Sequence, residues 1–66
     1  MSGEERRNQI IHILQSSTTP VSGVKLAKML DVSRQVIVQD VALLRAKDIR
    51  IQSTNRGYVV DKNKET

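Results

Sequence analysis

Few side chains in this 66-residue sequence could support catalysis. The chain has no cysteine and a single histidine, His12, which excludes a thiolate nucleophile, a disulfide framework and a zinc site built by histidines of this chain. Asp31, Asp40 and Asp48 are nine and eight positions apart and do not form a carboxylate pair on one helical face. The sequence contains no glycine-rich loop that could hold a phosphate. We therefore expect that the chain is not an enzyme.

A different chemistry is carried by residues 33–46. Ser33 is a good helix N-cap, and apolar residues then recur at positions 37, 41 and 44, the spacing of a helix with one buried face. Glutamine amides can pair with adenine edges, arginine with guanine edges or phosphates, and valine or alanine with a thymine methyl. This segment is therefore predicted to be a recognition helix for duplex DNA. Its outward face combines amide, small apolar and basic side chains: Arg34, Gln35, Val38, Gln39, Ala42 and Arg45.

The inward side of the same helix is predicted to include Val36, Asp40 and Leu43. Val36 lies at the margin between the core and the DNA-facing side, and the core is the favoured placement. The charge of Asp40 would repel a DNA backbone, so we expect it to serve the structure. A hydrogen bond or ion pair with a nearby basic residue is the predicted arrangement.

The composition limits the class of protein. A chain of 66 residues forms one small domain, and its 38% hydrophobic content without Phe or Trp requires an aliphatic core. The net charge of +4 suits a polyanionic partner, although a basic domain without any nucleic-acid role would have the same charge. No apolar run approaches the roughly 20 residues of a membrane span, and no signal-peptide core is visible. We expect a soluble protein of the cytoplasm.

Two helices are predicted before the recognition helix. Ser2 and Glu5 form a capping box ahead of an apolar stripe, which predicts a helix over residues 3–16 with His12 on its exposed side. Residues 19–21 are predicted to form a short edge strand. Ser22 then caps a helix over 23–30 that turns Leu26, Ala27 and Leu30 inward, with Lys25 and Lys28 outward and Met29 filling the edge of the core.

The connections between these elements predict the fold. Only residues 31–33 separate the second helix from the third, which is typical of a helix-turn-helix motif, although a short αα-hairpin without a DNA role has the same spacing. Residues 49–52 alternate as a strand does, 53–57 have turn composition, and 58–60 form the returning strand, giving a β-hairpin wing with Arg56 at its tip. The predicted class is α+β, mainly α: a three-helix winged helix-turn-helix with a C-terminal β-hairpin wing over residues 1–60. Residues 61–66 are predicted to be a polar tail or linker.

The segment Ser33–Lys47, together with Thr54–Val60, resembles a known bacterial family. It is similar to the N-terminal DNA-binding domain of niacin-responsive transcriptional repressors, and more broadly to winged-helix regulators of the biotin-repressor type. The resemblance covers residues 3–60. Asp48 departs from it, because a glycine commonly ends the third helix in such domains, and we expect the exit from that helix to differ.

The resemblance implies parts that this sequence lacks. Members of that family have a C-terminal domain whose clustered histidines bind a metal and sense nicotinic acid. With His12 alone, this chain cannot form that cluster, so no cofactor is expected within it. The chain is expected to be an excised domain or one without its effector domain.

The predicted function is sequence-specific binding of double-stranded DNA by a bacterial repressor of niacin and NAD metabolism genes. Gln35 and Gln39 are predicted to contact base edges, with Val38 as an apolar base contact. The wing, at residues 53–58, is expected to contact the DNA backbone or the minor groove. The remaining predicted DNA-binding residues cap a helix or contact phosphates: Ser22, Lys25, Ser33, Arg34, Arg45 and Arg56.

Two further expectations concern partners. One such domain makes an interface of only roughly 600–1,000 Å², so tight operator binding is expected to need a homodimer of the full-length protein. The alternative function is a winged helix that binds a protein or RNA, since a fold does not fix a function.

Overall fold

The chain folds as three helices followed by a two-stranded antiparallel hairpin. The computed structural model describes residues 2–60. This order confirms the predicted class, a mainly α winged helix-turn-helix, while the predicted tail at 61–66 lies outside the described residues. The elements are α1 (Gly3–Ser16), α2 (Gly23–Leu30), α3 (Arg34–Ala46), β1 (Ile51–Thr54) and β2 (Gly57–Val60).

Each helix begins after a serine that caps it, as predicted. Ser2 Oγ accepts a hydrogen bond from the Glu5 amide at 3.1 Å, and Glu5 Oε1 accepts one from the Ser2 amide at 3.0 Å, which completes the capping box. Ser22 and Ser33 each accept from the amide three residues on, at 3.0 and 3.3 Å. A cap of this kind stabilises a helix by about 1 kcal/mol. These local bonds explain why the three helix starts follow directly from the sequence.

The ends of α2 and α3 are formed by aspartates in the left-handed conformation, Asp31 with φ 58° and Asp48 with φ 69°. At the end of α3, the Ile49 amide donates to Leu44 O at 3.1 Å and the Asp48 amide to Arg45 O at 3.0 Å. These two bonds form a Schellman motif, the usual glycine-ended helix terminus. The expectation that Asp48 would change the exit is therefore wrong, since aspartate tolerates positive φ better than most residues do.

The core is aliphatic, as the composition predicts. The predicted inward positions of α2 and the periodic positions 37, 41 and 44 of α3 are buried. Leu43 and Met29 were expected inside, but their side chains are 49% and 53% exposed. Both lie at the flank of an apolar stripe whose centre is already filled by residues on the same helix. The buried hydrophobic residues are Ile10, Leu14, Val21, Leu26, Ala27, Leu30, Ile37, Val41, Leu44 and Ile51.

The wing is the β1–β2 hairpin, and its first strand starts later than predicted. The ladder runs from the Ile51–Val60 pair to the Thr54–Gly57 pair, which leaves a two-residue loop instead of the predicted turn over 53–57. Thr54 closes this loop with its side chain: Oγ1 accepts from the Arg56 and Gly57 amides, both at 3.2 Å, and donates to Gly57 O at 2.8 Å. The alternation at 49–52 thus placed the strand two residues too early, since β1 spans Ile51–Thr54.

A backbone bridge joins the wing to the segment before α2. Of the strand predicted at 19–21, only Val21 pairs: its amide donates to Tyr58 O at 3.0 Å, and the Tyr58 amide donates to Val21 O at 2.8 Å. Gly57 permits this approach, because a Cβ there would lie 2.4 Å from the Val21 carbonyl carbon, and its φ is +143°. The close contact fixes the wing beside the start of α2.

Replacing Gly57 with alanine should therefore weaken the fold through the wing. We expect Gly57→Ala to lower the free energy of unfolding by more than about 1 kcal/mol, because the residue has positive φ and its new methyl would collide with the Val21 backbone. Gly3→Ala is the control: its Cβ meets only arginine side-chain atoms, and alanine favours a helix. Urea denaturation followed by circular dichroism measures both. Equal effects of the two variants would contradict the close contact.

Candidate nucleic-acid interface

The predicted DNA-facing side of α3 is exposed along its whole length. Val38, the larger of the two apolar residues on this face, is 40% exposed. Val36, at the predicted margin, is half-buried. An exposed row of amides and small apolar groups on a helix is the donor, acceptor and methyl set that the major groove matches. The exposed side chains of this face are Arg34, Gln35, Val38, Gln39, Ala42 and Arg45.

The opposite side of α3 carries a buried charge, Asp40, which is 1% exposed. Arg6 forms a two-pronged pair with it, its Nε donating to Oδ2 and its NH2 to Oδ1 at 3.0 Å. Arg7 NH1 donates to the same Oδ1 at 3.3 Å. Both arginines belong to α1, so the pairing connects α1 to the inward side of α3. The predicted ion pair of Asp40 is confirmed, with partners far away in the sequence.

The hydrogen bond with Asp40 raises the pKa of the Arg6 guanidinium above its ordinary value, and the attraction between the charges adds to this effect while desolvation opposes it. A raised pKa on a cation contributes stability that is fully present below the pKa of the unfolded state. That contribution is lost only as the pH rises through the still higher folded value. The arginine side of the pair therefore stays charged throughout the physiological range.

A groove lies between the start of α2, the start of α3 and the wing. Its volume is about 370 Å³, and it brings together three of the predicted DNA-binding residues, Ser22, Arg34 and Arg56. Gly23 also lines this groove, where a Cβ would make ordinary contacts with the Tyr58 ring at 3.4 Å and Arg34 Cγ at 3.7 Å. Helix-terminal amides beside two guanidinium groups suit an anion such as a DNA phosphate. Lys25 is exposed on α2 but does not line this groove.

Arg45 has contacts that the sequence did not indicate. Its Nε donates to Ile51 O at 2.8 Å, and its NH2 donates to Ser53 Oγ at 2.9 Å. The guanidinium predicted to contact a phosphate is thus already bonded to β1. No sequence signal could have revealed this contact, because it depends on where the strand starts and on its approach to α3.

Among residues 2–60, no helix is long and apolar enough to cross a membrane. The same described part of the chain holds no group of three or more His, Cys, Asp or Glu side chains arranged to bind a metal ion.

Comparison with known proteins places this architecture in a family. A family model described as an HTH domain matches residues 6–59. The chain belongs to this helix-turn-helix family. Residues 3–60, with their three helices and wing, form a winged helix-turn-helix DNA-binding domain.

Two curated relatives of this helix-turn-helix domain are transcription repressors. Transcription repressor NadR of Bacillus subtilis (strain 168) is 49% identical over 59 residues, which are 89% of this chain and 33% of that protein. Probable transcription repressor NiaR of Thermotoga maritima is 54% identical over 57 residues, which are 86% of this chain and 33% of that protein. The chain thus spans a third of the length of these relatives. The resemblance to the DNA-binding domain of such repressors is confirmed, and neither relative is named as an enzyme.

Removing the charge of Asp40 should destabilise the domain. Asp40→Asn leaves two arginines directed at a site without a counter-charge, so we expect its Tm to fall several times further than that of Glu4→Gln, which removes one charge from an exposed position on α1. Thermal unfolding of both variants measures the difference. Asp40→Leu combined with Arg6→Leu should recover part of the loss, because a packed apolar pair often replaces a buried ion pair at little cost. Similar Tm values for Asp40→Asn and Glu4→Gln would show that the pair does not hold the helices together.

Proposed function

We propose that this domain binds double-stranded DNA sequence-specifically, as the DNA-binding part of a bacterial transcriptional repressor. In this proposal α3 lies in the major groove and the wing lies on the backbone or in the minor groove. The observation that carries the proposal is the exposed amide face of α3 beside a groove lined by Arg34 and Arg56. The relationship to two transcription repressors supports it.

The base contacts are assigned to one face of α3. Gln35 and Gln39 are four positions apart, one helical turn, so their exposed amides follow one side of the helix. Each can form a bidentate pair with an adenine edge, and the exposed methyl groups of Val38 can contact a thymine methyl. These three side chains are the proposed source of sequence preference.

The phosphate contacts are assigned to the rim around that face. Arg34 and Arg56 line the groove, and the amides at the start of α2, next to Ser22, add fixed partial charges there. Lys25 contributes charge nearby, and Ser33 acts through its cap on α3. Such contacts set the register of the protein on the duplex and add affinity that weakens with salt.

The proposed genes and effector follow from the resemblance and from the two relatives. We propose that the operators control niacin and NAD metabolism in the bacterial cytoplasm. A metal and nicotinic acid would then be bound by a C-terminal domain, with residues 61–66 as the linker, and residues 1–60 would need no cofactor. Because one domain covers roughly 600–1,000 Å² of interface, a homodimer on two half-sites about one helical turn apart is the proposed binding unit.

The base-contact assignment is tested by removing both amides. Gln35→Ala with Gln39→Ala should lose most of the preference for the operator over random duplex, at least tenfold, because each good bidentate pair is worth about 1–3 kcal/mol of discrimination. Weak nonspecific binding should remain, since the phosphate contacts are intact. Fluorescence anisotropy measures the affinities for the operator and for the random duplex, and hence their ratio. Gln9→Ala with Gln15→Ala removes two exposed amides from α1 and is the matched control. An unchanged ratio in the first variant would reject these base contacts.

Selection of bound sites from random duplex DNA at two salt concentrations tests the function as a whole. We expect one enriched motif at both concentrations, with affinity that falls as salt rises. Two copies in inverted orientation about one turn apart would support the homodimer. If the selection enriched no motif, sequence-specific binding would be contradicted, and a protein-binding or RNA-binding module would be favoured.

A further inference from the structure

The last turn of α3 is tied to the wing by one side chain. Arg45 donates from Nε to the backbone oxygen of Ile51 at 2.8 Å and from NH2 to the hydroxyl of Ser53 at 2.9 Å. A guanidinium presents its donors in a fixed planar fork. Two bonds to alternate residues of β1 therefore constrain the direction of the strand, and not only its distance from the helix.

A second attachment holds the other strand. β2 is bonded through Tyr58 to the backbone of Val21, at 3.0 and 2.8 Å, just before α2. The loop that carries Arg56 joins the two strands, so its position is set from both sides: by α2 through β2, and by α3 through Arg45. Of these two attachments, the one from Arg45 relates the wing directly to the helix that carries Gln35 and Gln39.

We propose that Arg45 is a positioning residue that fixes the wing relative to the base-contacting face of α3. Its contribution to DNA binding then acts through Arg56, because a displaced wing cannot keep the tip guanidinium on the DNA. The assignment differs from a phosphate contact made by Arg45 itself, in which the N–H donors not bonded to Ile51 and Ser53 would bind the DNA. The DNA part of the inference rests on the proposed function.

A double-mutant cycle on the selected duplex separates the two roles. We expect Arg45→Ala and Arg56→Ala each to weaken binding about threefold or more near 0.2 M salt, the effect of one lost phosphate contact. The double variant should bind no more weakly than whichever single variant has the lower affinity. The slope of log affinity against log salt concentration should become shallower by about 0.9 in all three variants. If the two arginines made independent phosphate contacts, the two losses of affinity would multiply in the double variant, and its slope would become shallower by about 1.8. That result would overturn the proposal.

Two further variants sharpen the cycle. Arg45→Lys keeps the charge but cannot reproduce the planar two-pronged contact, so we expect it to behave like Arg45→Ala. Rescue of affinity by Arg45→Lys would indicate a simple phosphate contact and would overturn the proposal. Lys47→Ala is the matched control, since it removes a positive charge two residues further on from an exposed position. Any effect it has on affinity should multiply with that of Arg56→Ala.

Hydrogen exchange in the free domain tests the positioning without DNA. Amides of β1 and β2 should exchange at least threefold faster relative to those of α3 in Arg45→Ala and Arg45→Lys, with Ser53→Ala showing a smaller change in the same direction. Unchanged relative exchange would overturn the positioning role. If the unmodified domain showed no preference among duplexes, the proposed function and the DNA part of this inference would both fail. The exchange result would still decide whether Arg45 fixes the wing.

Discussion

The buried carboxylate of Asp40 is the constraint on which the proposed DNA-binding surface depends. A charge that is 1% exposed cannot be left without partners, and its partners come from the first half of α1. Gln39 precedes it directly on α3, so the rotation of the helix that buries Asp40 is the rotation that exposes Gln39. A turn of α3 about its axis that hid the amide would also pull the carboxylate away from Arg6. The ion pair thus reinforces the orientation that the burial of Ile37, Val41 and Leu44 gives to the helix.

Three kinds of interaction hold the proposed interface, and each acts on a different element. The ion pair helps to orient α3, a backbone bridge at Val21 holds β2, and the side chain of Arg45 constrains the direction of β1. The serine caps then leave the first amides of α2 and α3 beside the groove that the wing completes. The wing also contributes Ile51 to the core and packs Tyr58 and Val60 against it, so this burial and these few bonds together set its position.

The sequence predicted the helix starts and the centres of the buried stripes, which depend on neighbours along the chain. Ser2, Ser22 and Ser33 each bond to an amide three residues away, and the buried positions of α3 follow the helical period. Part of what it missed depends on how elements approach one another.

The need of Asp40 for a counter-charge could be predicted, but its choice of Arg6, 34 residues away, could not. The bonds of Arg45 to β1 gave no local signal. The placement of Leu43 was wrong because a period defines the centre of a buried stripe better than its edges. The exit at Asp48 was misjudged because the penalty for positive φ at aspartate is small enough for the surrounding hydrogen bonds to offset.

The separation between Arg6 and Asp40 also affects how the fold assembles. Contacts between α2 and α3 close a loop of only a few residues, whereas pairing α1 with α3 closes a loop of 34 residues at a higher entropic cost. During synthesis α1 leaves the ribosome before α3, so Arg6 and Arg7 cannot pair with Asp40 until Asp40 has emerged. The contact between α2 and α3 therefore costs less chain entropy to form than the contact that gives the buried charge its partners.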